Sequence, residues 1–214
     1  MFTLDFIAYL GLLLATALYG VRHYQKIFLP GKLLTQLLLL LFTLEILGRL
    51  WAQWYGGNQP VYHITSLLQI GYFILIFKFK LDGVRLRVFI ALSLLFFVVA
   101  IYQSIATQMA YFPSFQLTLL ALTAITGSLL DFFQMLMNPI NTPLNRQFSF
   151  WFNSGNLIFY GCTFFVFGLM EYMLRQNLSN FPHWSITLVQ ACNFLLYLAY
   201  FWALRSAVHQ YYKQ

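Results

Sequence analysis

Charge is what this chain has least of. Twelve basic and five acidic residues make up 8% of its 214 positions, where a soluble domain carries about 25%. With 61% hydrophobic residues, a water-soluble fold would own more apolar surface than its interior could hide. Cysteine is scarce too. Cys162 and Cys192 both fall in apolar stretches, which speaks for small-residue packing and against a disulfide framework. The four histidines, at positions 23, 63, 183 and 209, lack the His-x-x-x-His spacing of a helical metal site. No Gly-x-Ser-x-Gly elbow and no phosphate-cradling glycine loop occurs, so the common hydrolase and nucleotide-binding chemistries have no support. The last apolar stretch holds no lysine, which excludes a retinal Schiff base there.

What the chain does have is apolar runs. A bilayer-spanning helix needs about 20 mainly apolar residues, and windows of about that length place seven helices, near 3–21, 31–50, 61–79, 86–104, 113–137, 148–173 and 184–206. Turn residues stand between them: Pro30-Gly31, Gly56-Gly57-Asn58-Gln59-Pro60, Asp82-Gly83, Pro113, Asn138-Pro139 with Pro143, and Phe181-Pro182. The expected fold is all-α, a single polytopic membrane domain over residues 1–214, with seven transmembrane helices whose short loops make neighbours antiparallel. The first run has no basic leader and carries Asp5, so it reads as a retained helix, not a cleaved signal.

Basic residues give these helices a direction. Arg22, Lys26, Lys32, Lys78, Lys80, Arg85, Arg87, Arg146, Arg205 and Lys213 all fall on one side of the layout, and only Arg49 and Arg175 on the other. The bias of Lys and Arg toward the cytoplasm then puts the N-terminus outside and the C-terminus inside. Trp51, Trp54, Tyr55 and Trp184 sit where headgroup-level anchors are expected. The charge of +7 is therefore read as topology and contact with anionic lipid. Nucleic acid is not an expected partner.

Each ionisable residue at membrane depth costs about 2.5–3.5 kcal/mol on insertion scales, which marks it for attention. Glu45 with Arg49, and Glu171 with Arg175, are i,i+4 pairs at the outer ends of helices two and six. On the same side stand His63, Gln69, Gln190 and Asn193. Together Glu45, His63, Gln69, Glu171, Gln190 and Asn193 are the candidate lining of an outward-facing polar pocket. Interhelical hydrogen bonding is the competing reading of the amides. A second group lies toward the inside: Asp131, read as the most isolated charge in the chain, with Asn153 and Asn156 beside Gly155. These three are candidates for coupling or for structural hydrogen bonding. His63 and His183, with Glu45 or Glu171, are the residues a zinc enzyme would use, although no metal or other cofactor is expected.

Two segments resemble a known group. Asn58-Gln59-Pro60-Val61-Tyr62-His63-Ile64, leading into Ser66-Leu67-Leu68-Gln69, is similar to the entry of helix three in an uncharacterised family of small seven-helix integral membrane proteins of Bacteroidetes. Phe150-Trp151, Gly155, Leu157-Ile158-Phe159-Tyr160-Gly161 and Asn193 resemble its sixth and seventh helices. The family is met near sensor kinases, which implies a sensory or accessory role. Its pattern has Glu where this chain has Gln69, so a mechanism needing a carboxylate at that position does not carry over unless Glu45 supplies it. The expectation is a receptor-like sensory or accessory module in a bacterial inner membrane. Its partners would be the bilayer, a small-molecule ligand, and a sensor kinase or other signalling protein. A small-molecule or ion transporter is the alternative, and a membrane-embedded enzyme the third reading.

Overall fold

A computed structural model describes residues 4–139, 142–175 and 181–211. It consists of seven α-helices: α1 (Leu4–Arg22), α2 (Leu29–Tyr55), α3 (Gln59–Lys78), α4 (Gly83–Ala106), α5 (Ser114–Met137), α6 (Phe148–Arg175) and α7 (Phe181–Tyr211). Among the described residues there is no strand. Six of the helices, α2 to α7, are long and apolar enough to cross a membrane, while α1 is apolar over the shorter stretch Ile7–Arg22. The chain is a multi-pass helical membrane bundle.

Local chemistry sets the helix ends. Pro30 and Pro60 occupy the first turns of α2 and α3, where their missing N–H leaves no helical bond unmade. Gly56 closes α2 at φ 76°, its N–H bonding to the Ala52 carbonyl at 3.0 Å. Several helices run past the apolar windows, α2 to Tyr55 and α7 to Tyr211, because backbone hydrogen bonding continues where hydropathy has already fallen.

The helices alternate in direction. The side holding the start of α1, the α2–α3 turn and the α4–α5 loop is termed the N side, and the opposite one the C side. Six helices close a ring in the order α1, α2, α3, α5, α6, α7 and back to α1. The fourth, α4, lies outside that ring against α3 and α5. Its sequence explains this position. The buried residues of α4 are Phe89, Ser93, Ala100 and Ser104, which fall within about 60° of one another at 3.6 residues per turn. Leu94, Leu95, Val98, Tyr102 and Ile105 point outward. By contrast α5 buries a broad face from Ser114 to Asp131.

The C-side half of the ring is filled with aromatic rings. Phe73, Phe77, Phe89, Phe148, Phe152 and Tyr200 are all buried. Phe77 meets Phe89 edge-on at 5.1 Å between centroids, and Phe152 stacks between Phe148 at 5.4 Å and Tyr200 at 5.5 Å. These edge-to-face and stacked geometries are the favoured ones for aromatic pairs. The N-side half is not filled.

Candidate functional site

A cavity of about 370 Å³ occupies the N-side half of the ring, within the size range of small-molecule sites. Side chains from α1, α2, α3, α5, α6 and α7 line it. Along α7 it extends from Ser185 to Tyr200, about 22 Å at 1.5 Å per residue. Its inner end rests on Phe73 and Tyr200, the first layer of the aromatic packing.

Four of the six residues expected to form an outer pocket do converge here: Glu45 from α2, Gln69 from α3, and Gln190 and Asn193 from α7. Glu45 accepts a hydrogen bond from the Tyr9 hydroxyl at 3.1 Å. Gln69 accepts one from Tyr160 at 3.0 Å, which joins α3 to α6. The interhelical reading of the amides therefore applies to Gln69. Among the described residues, neither Gln190 nor Asn193 has a side-chain partner. Their amides lie in the cavity lining without bridging two helices.

His63 is a correction. It lies outside the cavity lining, about 100° round α3 from the face bearing Tyr62, Ser66, Gln69 and Phe73. Fully buried, its Nδ1 meets Ser104 Oγ at 3.0 Å and its Nε2 the Tyr111 carbonyl at 3.1 Å. The contact ties α3 to the α4–α5 loop, where Gln108 and Met109 both take left-handed backbone conformations, φ 50° and 54°. Such residues store on the order of 1–3 kcal/mol each, and the imidazole bonds on either side of them, to Ser104 and to Tyr111. His63 is thus removed from any zinc set with Glu45. Among the described residues no group of His, Cys, Asp or Glu could hold a metal. The side chains of Glu171, Arg175, His183 and Trp184, all singled out in the sequence, lie outside the described residues.

No family model, curated protein or solved structure matches this chain. The site has to be read from its own geometry.

Sequence reasoning missed the tyrosines. Tyr9, Tyr62, Tyr160, Tyr197 and Tyr200 all line the cavity, but in an aromatic-rich membrane sequence nothing distinguishes them from lipid-facing rings. Arg49 was seen only as the partner of Glu45. It lines the cavity one turn nearer the N side.

The inner group is also assembled, with a partner the sequence reading did not give it. Asp131 is not an isolated charge: it forms an ion pair with Lys80, and both side chains are buried, at 4% and 5% exposure. Asn153 Nδ2 donates to the same carboxylate oxygen at 2.5 Å. The Lys80 ammonium lies 4.9 Å from the centre of the Phe152 ring and 5.2 Å from that of Phe148, within cation–π range. Burial pulls this lysine below its usual titration range, while the Asp131 carboxylate acts the other way. One turn toward the cavity, Asn156 Nδ2 donates to Ser128 Oγ at 3.3 Å, while its Oδ1 accepts from the Tyr200 hydroxyl at 2.5 Å. Asp131–Asn153 and Ser128–Asn156 are thus two rungs between α5 and α6. Tyr200 connects the upper rung to the cavity.

Proposed function

We infer that the chain is a receptor-like sensory or accessory protein of a bacterial inner membrane, with the N side outside and the C side in the cytoplasm. It binds a small molecule in the cavity and passes the event to a partner protein. The observation carrying this reading is the convergence of Glu45, Gln69, Gln190 and Asn193, from three helices, on one cavity closed beneath by aromatic packing. Polar groups without intramolecular partners are costly at membrane depth, and a bound molecule would supply partners for the Gln190 and Asn193 amides. Tyr200, which lines the cavity and donates its hydroxyl to Asn156, gives binding a mechanical link to the α5–α6 rungs. The resemblance to the Bacteroidetes family accords with this role, and a sensor kinase or other signalling protein is the partner it suggests.

The test is a thermal-unfolding screen of the purified protein against small polar and amphipathic metabolites. Saturable stabilisation is expected, weakened by Gln190→Leu and Asn193→Leu, and crosslinking in native membranes should trap one recurring partner. A ligand whose binding ignores both substitutions, or membranes that yield no partner, would count against the receptor reading.

Transport is the second reading, favoured by the polar continuity from the cavity through Tyr200 and Asn156 toward Asp131 and Lys80. It requires the aromatic layer around Phe152 to open. Proteoliposome uptake that disappears with Asp131→Asn would promote it over signalling.

A further inference from the structure

The chemistry of the ligand follows from where the cavity's protons point. A hydroxyl has one proton to donate and two lone pairs with which to accept. Thr65 donates to the Val61 carbonyl at 2.7 Å and Ser66 to the Tyr62 carbonyl at 3.0 Å. Tyr9 donates to Glu45 at 3.1 Å, Tyr160 to Gln69 at 3.0 Å, and Tyr200 to Asn156 at 2.5 Å. All five residues line the cavity, and all five direct their proton into the protein. What they can still present to a ligand is lone pairs.

Glu45 adds charge to this bias. Its carboxylate has about four lone-pair sites, and Tyr9 occupies one. The rings beside it also favour a cation: Tyr9 and Tyr197 stack at 6.3 Å, and aromatic faces carry negative potential. Arg49 is the cation among the lining residues, and it already has an interaction within the protein. Gln69, Gln190 and Asn193 also offer amide N–H groups to the cavity, which suit a neutral ligand's acceptors, but an anionic ligand would meet the Glu45 charge. A quaternary ammonium would match the charge but bring no N–H groups to the acceptors.

We propose that the cavity is built for a primary ammonium ligand, an alkyl or arylalkyl amine, with Glu45 as counter-charge and the aromatic inner end receiving the apolar part. This rests on the reading of the cavity as a ligand site and names its ligand class.

The experiment is calorimetric titration of the purified full chain with four matched probes. They are 2-phenylethylamine, its neutral N-acetyl derivative, its N,N,N-trimethyl derivative, and 3-phenylpropionate. The primary amine should bind saturably and more tightly than each of the others by roughly tenfold, the scale of a charge-assisted hydrogen bond. Glu45→Gln should weaken the amine by about the same factor and leave the neutral probe unchanged, whereas Glu45→Asp should preserve the ranking. Equal or tighter binding of the neutral, trimethylated or anionic probe overturns the ammonium assignment and leaves the cavity as a ligand site. Absence of saturable binding by all four overturns both. The ranking on the unsubstituted protein decides the matter even where a Glu45 variant does not fold.

Discussion

Lys80 holds its ammonium against Asp131 with both side chains buried. A buried ion pair broken on one side leaves an uncompensated charge, at a cost of about 3–5 kcal/mol. Lys80→Met is therefore expected to lower stability by about that amount, measured by denaturant or thermal unfolding in detergent. Combining it with Asp131→Leu should restore most of the loss, since replacing both partners of such a pair with apolar groups is often neutral. A double variant as unstable as the single one would mean that the carboxylate serves Asn153 more than it serves Lys80. This residue also marks a limit of sequence reading. Lys80 follows α3 among other basic residues and reads as one more loop charge, while Asp131 reads as isolated. The two are 51 positions apart, and only the packing of α3 on α5 makes them partners.

At the scale of elements, glycines set how closely helices approach, Gly20 against Thr35 and two others nearer the cavity and the rungs. A Cβ on Gly155 would stand 2.8 Å from the Ala199 methyl carbon, and one on Gly127 would overlap the buried Phe77 ring. Gly155→Leu and Gly127→Leu are expected to cost about 1–3 kcal/mol each through overpacking. Because Gly127 faces the ring that packs beneath the cavity and Gly155 sits one residue from Asn156, either change should also disturb the Tyr200–Asn156 link. Unfolding midpoints give the first effect, and loss of ligand stabilisation at unchanged folding would give the second. The place of Gly155 beside polar residues in Asn153-Ser154-Gly155-Asn156 was legible. The expulsion of α4 from the ring was not. Of the six long spans α4 has the highest mean hydropathy, which suits a helix facing lipid, but its narrow buried stripe becomes meaningful only once its neighbours are known.

For the whole molecule, the charge distribution makes a prediction about direction. In a background with Cys162→Ser and Cys192→Ala, a cysteine at Gln53 should react with an impermeant maleimide from outside intact cells. One at Asp82 should react only after permeabilisation. The reverse pattern would invert the bundle and place the cavity on the cytoplasmic face, ending the external-receptor reading. Sequence alone determined that the chain is a helical membrane bundle, because a backbone in lipid must satisfy its own hydrogen bonds and 61% hydrophobic residues leave it no other solvent. It also picked out most of the rare polar residues that matter, since polarity is conspicuous against an apolar background. Which of those residues meet was decided only by tertiary structure. The closure of six helices into a ring brings Glu45, Gln69, Gln190 and Asn193 to one cavity, turns His63 away toward a loop, and gives Asp131 a lysine. Apolar periodicity is nearly silent in a chain whose outer surface is as hydrophobic as its core, so the order in which its helices pack is not written in its hydropathy.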